Sequence, residues 1–170
     1  MSEADSIPAR RAAIALATSR LGADHRETLK ARNLLGFALQ RAGRLPEAER
    51  ELRAATDDCA RALGSTDAET LFGQSLLAYL LLESGNVREA VRRQRGLVEA
   101  SVVAPGEHDP ATLGRRVNHG VMLYHLGQRE AAEREQRATL ELCDQILGRR
   151  HPITKGCRLS LRKIRETVEG

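Results

Sequence analysis

The sequence predicts an all-α protein of about eight helices, arranged as successive antiparallel hairpins in an α-solenoid, and three observations carry that prediction. The first is a period of 42 residues: Gly22, Gly64, Gly106 and Gly148 share it, as do Thr28, Thr70, Thr112 and Thr154, then Gly43, Gly85 and Gly127, then Ala48, Ala90 and Ala132. Fourteen identities in four columns without an insertion exceed what 14 glycines in 170 residues yield by chance, and self-similarity at such a period is the signature of a repeat architecture. The second is that each period carries helix start and stop signals twice. The third is composition: 41% hydrophobic residues but only 2% aromatic, with no Trp, leave a core of Leu, Ala and Val, which suits closely packed helices.

The elements follow in order. Residues 8 to 21, rich in alanine at Ala9, Ala12, Ala13, Ala15 and Ala17, match the second helix of a hairpin whose first helix is missing. First helices are predicted over 26–41, 68–84 and 110–126, each stopping at a glycine able to adopt the left-handed conformation that ends a helix. Second helices are predicted over 45–62, 87–104 and 129–147. Asp109 before Pro110 and His151 before Pro152 are cap residues followed by proline at the first helical position, and Pro46 opens its helix in the same way. Ala48, Leu52, Ala55, Cys59 and Leu63 form a stripe at spacings of four and three, one face of a helix. The last helix, 152–168, carries Arg158, Arg162, Lys163, Arg165 and Glu166, as the polar outer face of a capping helix would. One domain over 1–170 is expected: a half repeat at 8–21, full repeats at 22–63, 64–105 and 106–147, and a capping helix within 148–170.

Leu35, Gly36, Leu39 and Ala48 fall on the spacing of the tetratricopeptide repeat, and Leu77, Ala78, Leu81 and Ala90, then His119, Gly120, Leu123 and Ala132, repeat it. The chain therefore resembles tetratricopeptide repeat proteins over 8–168. The period of 42, with Leu147–Gly148 ahead of His151–Pro152–x–Thr154, resembles the kinesin-light-chain-like subgroup in particular. It departs at Arg32, Gln74 and Arg116 in a column that is Trp in the family, at Gln94 and Gln136 in a later aromatic column, and at His119 in a core Leu column. The resemblance implies a right-handed solenoid and an adaptor or regulatory role. The skew to 24 Arg against three Lys points to a GC-rich, bacterial source.

Several function classes fail on the residues. There is no GxSxG, phosphate loop or HExxH, and His119 and His125 are too far apart to share a helical face, so no catalytic residue, cofactor or metal site is expected. Cys59, Ser101 and Cys143 share one column and read as small packing residues. His25, His108 and His151 precede first helices, where capping is the expected job. Net charge is +4, but 27 basic and 23 acidic residues are interleaved, which argues against a nucleic-acid surface; no apolar run reaches membrane length, and the opening residues lack the apolar stretch expected of a signal peptide. Three cysteines without CxxC suggest a reduced, cytoplasmic protein.

A binding role remains. The resemblance implies that first helices line a concave groove at positions 30, 33, 34, 37, 40 and 41 and their copies 42 and 84 residues on. All four aromatics, Phe37, Phe72, Tyr79 and Tyr124, fall on those columns, and interface cores favour such rings. Lys30, Asn33, Gln40, Arg41, Ser75, Glu83, Asn118, Val121, His125 and, from the last helix, Lys163 complete the candidate surface. The expected function is a non-enzymatic module that binds a peptide segment of a partner protein. The alternative is a self-associating scaffold, a homodimer formed through the alanine-rich half repeat.

Overall fold

The computed structural model describes residues 3–166, with side chains from Ile7 onward. Eight α-helices follow in order among the described residues: α1 (Glu3–Leu21), α2 (Arg26–Arg41), α3 (Leu45–Leu63), α4 (Ala68–Glu83), α5 (Val87–Ser101), α6 (Pro110–His125), α7 (Arg129–Ile146) and α8 (Pro152–Glu166). No strand occurs among them. The predicted all-α fold and helix count hold. The predicted end of the last helix at residue 168 lies outside the described residues.

Each first helix of a repeat starts where a side chain satisfies a backbone donor that the helix leaves open, whereas α3 and α7 start without a side-chain cap. One column supplies that cap in all four first helices: His25 Nδ1 accepts from the Glu27 amide at 3.3 Å, Asp67 from Glu69 at 2.9 Å, Asp109 from Ala111 at 2.8 Å and His151 from Ile153 at 3.2 Å. Three residues on, the threonine column is wholly buried. Thr28 and Thr70 donate to the carbonyls of Gly22 and Gly64, and Thr112 and Thr154 to those of Ser101 and Cys143. First helices end in a shared reversal: the amides of Arg44, Asn86 and Gln128 reach back to the carbonyls of Leu39, Leu81 and Leu123, across glycines at φ +73°, +82° and +82°. That geometry needs a left-handed residue, which is why glycine recurs with the period.

The helix α5 stops at Ser101, three residues short of its predicted end. Pro105 sits where the other copies have Leu63 and Leu147, and the residue before a proline is pushed out of the helical region. Ala104 is accordingly extended at φ −157°, ψ 125°, and the chain crosses Val102–Gly106 as an irregular turn. At the other end, α1 begins at Glu3, ahead of the predicted residue 8, and keeps Pro8 inside.

The helices group into two compact units, one ending at Asn86 and one beginning at Val87. In the first unit α2 packs against α1, α3 and α4, and α3 against α4. Its core includes Leu29, Leu39, Leu52 and Leu71, all at most 1% exposed. The α2–α3 seam is close because Gly36 faces Leu52: a Cβ there would lie 2.5 Å from the leucine Cγ. In the second unit α6 packs against α5, α7 and α8, and α7 against α8. Here Gly120 faces Gln136, and the core combines Leu97, Leu113, Met122 and Ile164 with fully buried Gln94, Gln136 and Thr139.

Candidate functional site

In the first unit α2 and α4 bring most of the candidate binding residues together. Phe37 on α2 and Phe72 and Tyr79 on α4 are 41%, 39% and 43% exposed, large rings left open on two adjoining helices. Lys30, Arg41 and Glu83 are exposed too. Gln40 Nε2 donates to Glu83 Oε2 at 2.7 Å and so ties the ends of the two helices together. Ser75 is half-buried, and its hydroxyl donates to the Leu71 carbonyl at 2.9 Å.

Asn33 departs from expectation. It is fully buried, and its Nδ2 donates to the Glu69 carbonyl at 3.1 Å and to Cys59 Sγ at 3.8 Å. Its Oδ1 points at Gly73, so near that a Cβ there would stand 2.6 Å away. The amide is used between α2 and α4 and does not face a partner. The reason is steric: Gly73 opens a space on α4 that the asparagine fills.

In the second unit the candidates are more enclosed. Asn118, Val121 and Tyr124 on α6 are half-buried, and His125 and, on α8, Lys163 are exposed. The Tyr124 ring packs against the cluster of Leu123, Ala132 and Ile164 and meets the His125 ring edge-on, centroids 5.8 Å apart.

Two features were not anticipated. The family's Trp column carries arginine here, half-buried by acidic neighbours: Arg32 donates to Glu51 at 3.0 Å and Asp58 at 2.6 Å, Arg116 to Glu135 at 3.4 Å and Glu107 at 3.2 Å, and Arg158 to Asp144 at 2.8 Å. The column identity was legible; its partners, 9 to 26 residues away, were not. The two glutamines in the later aromatic column turn inward, with Gln94 Nε2 donating to the Arg115 carbonyl and Gln136 Nε2 to that of Val117, both at 2.8 Å.

His119, in the core Leu column, is half-buried; its Nδ1 lies 4.0 Å from Glu135 Oε1, and its Nε2 is buried without a partner. His119 and Arg116 together hold the Glu135 carboxyl below the usual range. The three cysteines are free and buried, and burial raises all three thiols, that of Cys157 to about 12, against thiolate formation. Among the described residues no group of three His, Cys, Asp or Glu side chains is placed to hold a metal, and no helix is long and apolar enough to cross a membrane. His25 and His151 do cap helices, whereas beside His108 it is Asp109 that caps.

The sequence model described as the tetratricopeptide repeat matches residues 28–70 and 112–153, half of the chain. The chain belongs to the tetratricopeptide repeat family. The first stretch runs from Thr28 to Thr70 and the second from Thr112 to Ile153, and they leave out the interval that holds Gln74 and Pro105. Among curated proteins no sequence match is found. Among solved structures, the kinesin-light-chain-like, nearly identical TPR-like repeats of Podosopora anserina superpose with a TM-score of 0.81 at 20% identity, over 96% of this chain and 78% of that one. BtubC (BKLC) from P. vanneervenii superposes with a TM-score of 0.82 at 18% identity, over 99% of this chain and 68% of that one. Tetratricopeptide repeats generally mediate protein–protein interaction and are typically non-enzymatic scaffolds.

Proposed function

We propose that this tetratricopeptide protein is a non-enzymatic adaptor or regulatory module that binds a peptide segment of a partner along its first helices, the concave side that the family fold implies. The observation that carries the reading is the open aromatic group of Phe37, Phe72 and Tyr79 on α2 and α4, with the Gln40–Glu83 pair beside it. Rings of this kind bury large apolar area, and the tyrosine hydroxyl adds one directional contact. With Asn33 engaged inside the protein, side-chain burial rather than an amide clamp on the peptide backbone supplies the affinity. The odd count of three cysteines without a CxxC pair supports a reducing, cytoplasmic setting.

An unbiased pull-down from the native host identifies the partner, and its affinity is then measured against variants. Tyr79→Ala and Phe37→Ala should each cost about 2 kcal/mol, roughly thirtyfold in Kd, with the helical signal unchanged. A partner indifferent to both would refute the reading. A second reading, self-association through α1, is favoured by Leu16 and Leu21, 53% and 50% exposed. Mass in solution decides it: a monomer at the highest soluble concentration rules self-association out.

A further inference from the structure

The second unit carries two adjoining hollows on the side of α6 opposite Asn118 and Val121. One, of about 480 Å³, opens between α5 and α7 over Val91, Leu123, Leu126 and Ala131; the other, of about 420 Å³, continues past Val98 and Val102 to Arg116 and Glu135. Arg95 and His119 line both, so the two form one cleft with α5 and α7 as walls and α6 as floor. The α5 wall bears Arg88, Val91, Arg92, Arg95 and Val98, the spacing of a single helical stripe, and Val102 follows just past the helix end.

The charges in this cleft are unevenly satisfied. Its carboxylates are taken: Glu99 by Arg95 at 2.9 Å, and Glu135 by Arg116 and His119. Arg88 and Arg92 are exposed, one turn apart on the rim, and neither pairs with a carboxylate among the described residues. The whole unit is positive, with 16 basic and 11 acidic residues from Val87 onward, whereas residues 1–86 hold 11 and 12. An apolar floor beside two uncompensated guanidinium groups is complementary to a helix with an apolar stripe flanked by carboxylates one turn apart.

We propose that the α5–α7 cleft is a second docking surface, for an acidic amphipathic helix of a partner protein, distinct from the aromatic surface of the first unit. Arg88 and Arg92 select the charge, and Val91, Leu123 and Leu126 receive the apolar stripe.

The probe is a fluorescein-labelled synthetic peptide of 16 residues, with Leu at helical spacing flanked by Glu, read by anisotropy against the full chain. Saturable binding is expected, at least about tenfold weaker for Arg88→Glu/Arg92→Glu and reduced in the same direction by the gentler Arg88→Gln/Arg92→Gln. Both residues are exposed, so circular dichroism should be unchanged. A peptide of the same composition in shuffled order should bind about tenfold more weakly, because it lacks the stripe, and Tyr79→Ala should change nothing. Amide shifts should move at Val91, Leu123 and Ala131. The proposal is overturned by failure to saturate, by equal binding of the shuffled peptide or of oligothymidylate, which would reduce the effect to charge alone, or by loss with Tyr79→Ala instead of the arginine changes. Because the probe is independent of any native partner, failure here leaves the aromatic surface untouched.

Discussion

The two units are built on one repeat yet close their helix seams with opposite chemistry. Gly36 in the first admits Leu52, and the contact at that glycine is apolar. Gly120, its counterpart 84 residues on, admits Gln136, whose amide bonds to the Val117 carbonyl and accepts from Cys157 Sγ at 3.0 Å. Gln94 makes the same kind of bond to Arg115 but leaves its Oε1 buried without a partner, a group whose desolvation is not repaid. The period therefore fixes where the backbone approaches closely, at a glycine, and leaves open what fills the other side. A leucine fills it by burial alone; a glutamine fills it only while its hydrogen bonds stand. Charge differs in parallel, with the first unit near neutral and the second strongly basic.

That contrast can be tested. The largest effect is expected at the apolar contact: Leu52→Ala should cost about 2–5 kcal/mol in thermal unfolding, because the cavity is walled by rigid helices. Gln136→Ala should cost less, about 1–3 kcal/mol, since the carbonyl it serves keeps its place in a helix. Equal losses would break the comparison. Next come the paired glycines. Gly36→Ala drives a Cβ into branched Leu52 and should cost about 1–3 kcal/mol; Gly120→Ala meets Gln136 at 2.8–2.9 Å and is relieved only by giving up that side chain's bond to the Val117 carbonyl, so its cost should be of the same order.

The smallest expected effect is electrostatic. Arg26 holds Asp67 with two hydrogen bonds of 2.9 and 2.6 Å, and Asp58 sits between Arg61 and Arg32; both carboxyls lie below their ordinary range for that reason. A folded-state pKa below the unfolded one gives stability that is present above the usual carboxylate range and lost as pH falls through the depressed values. Hydrogen exchange should therefore show the start of α4 losing protection below about pH 4, by under about 1 kcal/mol for these part-exposed pairs. Arg26→Ala should flatten that response, and an unchanged acid response would remove the role given to the pair.

Helix bounds, caps and turns were legible because they depend on neighbours within a few residues: Asp109 before Pro110, or Gly43 after Arg41, acts locally. Side-chain direction was less so. Asn33 lies on a column that faces out in the family, and only Gly73, forty residues away, makes room for it inside. Tyr124 was expected to face the groove, yet Leu123, Ala132 and Ile164 give it a place to pack. The early end of α5 was written in Pro105, a local signal that the periodic pattern outweighed.

The buried threonines have a consequence for dissecting the molecule. Each hydroxyl ties the end of a second helix to the start of the following first helix: α1 to α2, α3 to α4, α5 to α6, α7 to α8. None bridges the turns at Gly43, Gly85 or Gly127. A cut or an insertion at those turns leaves every tie intact, whereas one at Gly64, Gly106 or Gly148 severs one and strands a buried hydroxyl. The threonine ties are thus offset from the hairpin that the sequence period suggests: they join the second helix of one copy to the first helix of the next.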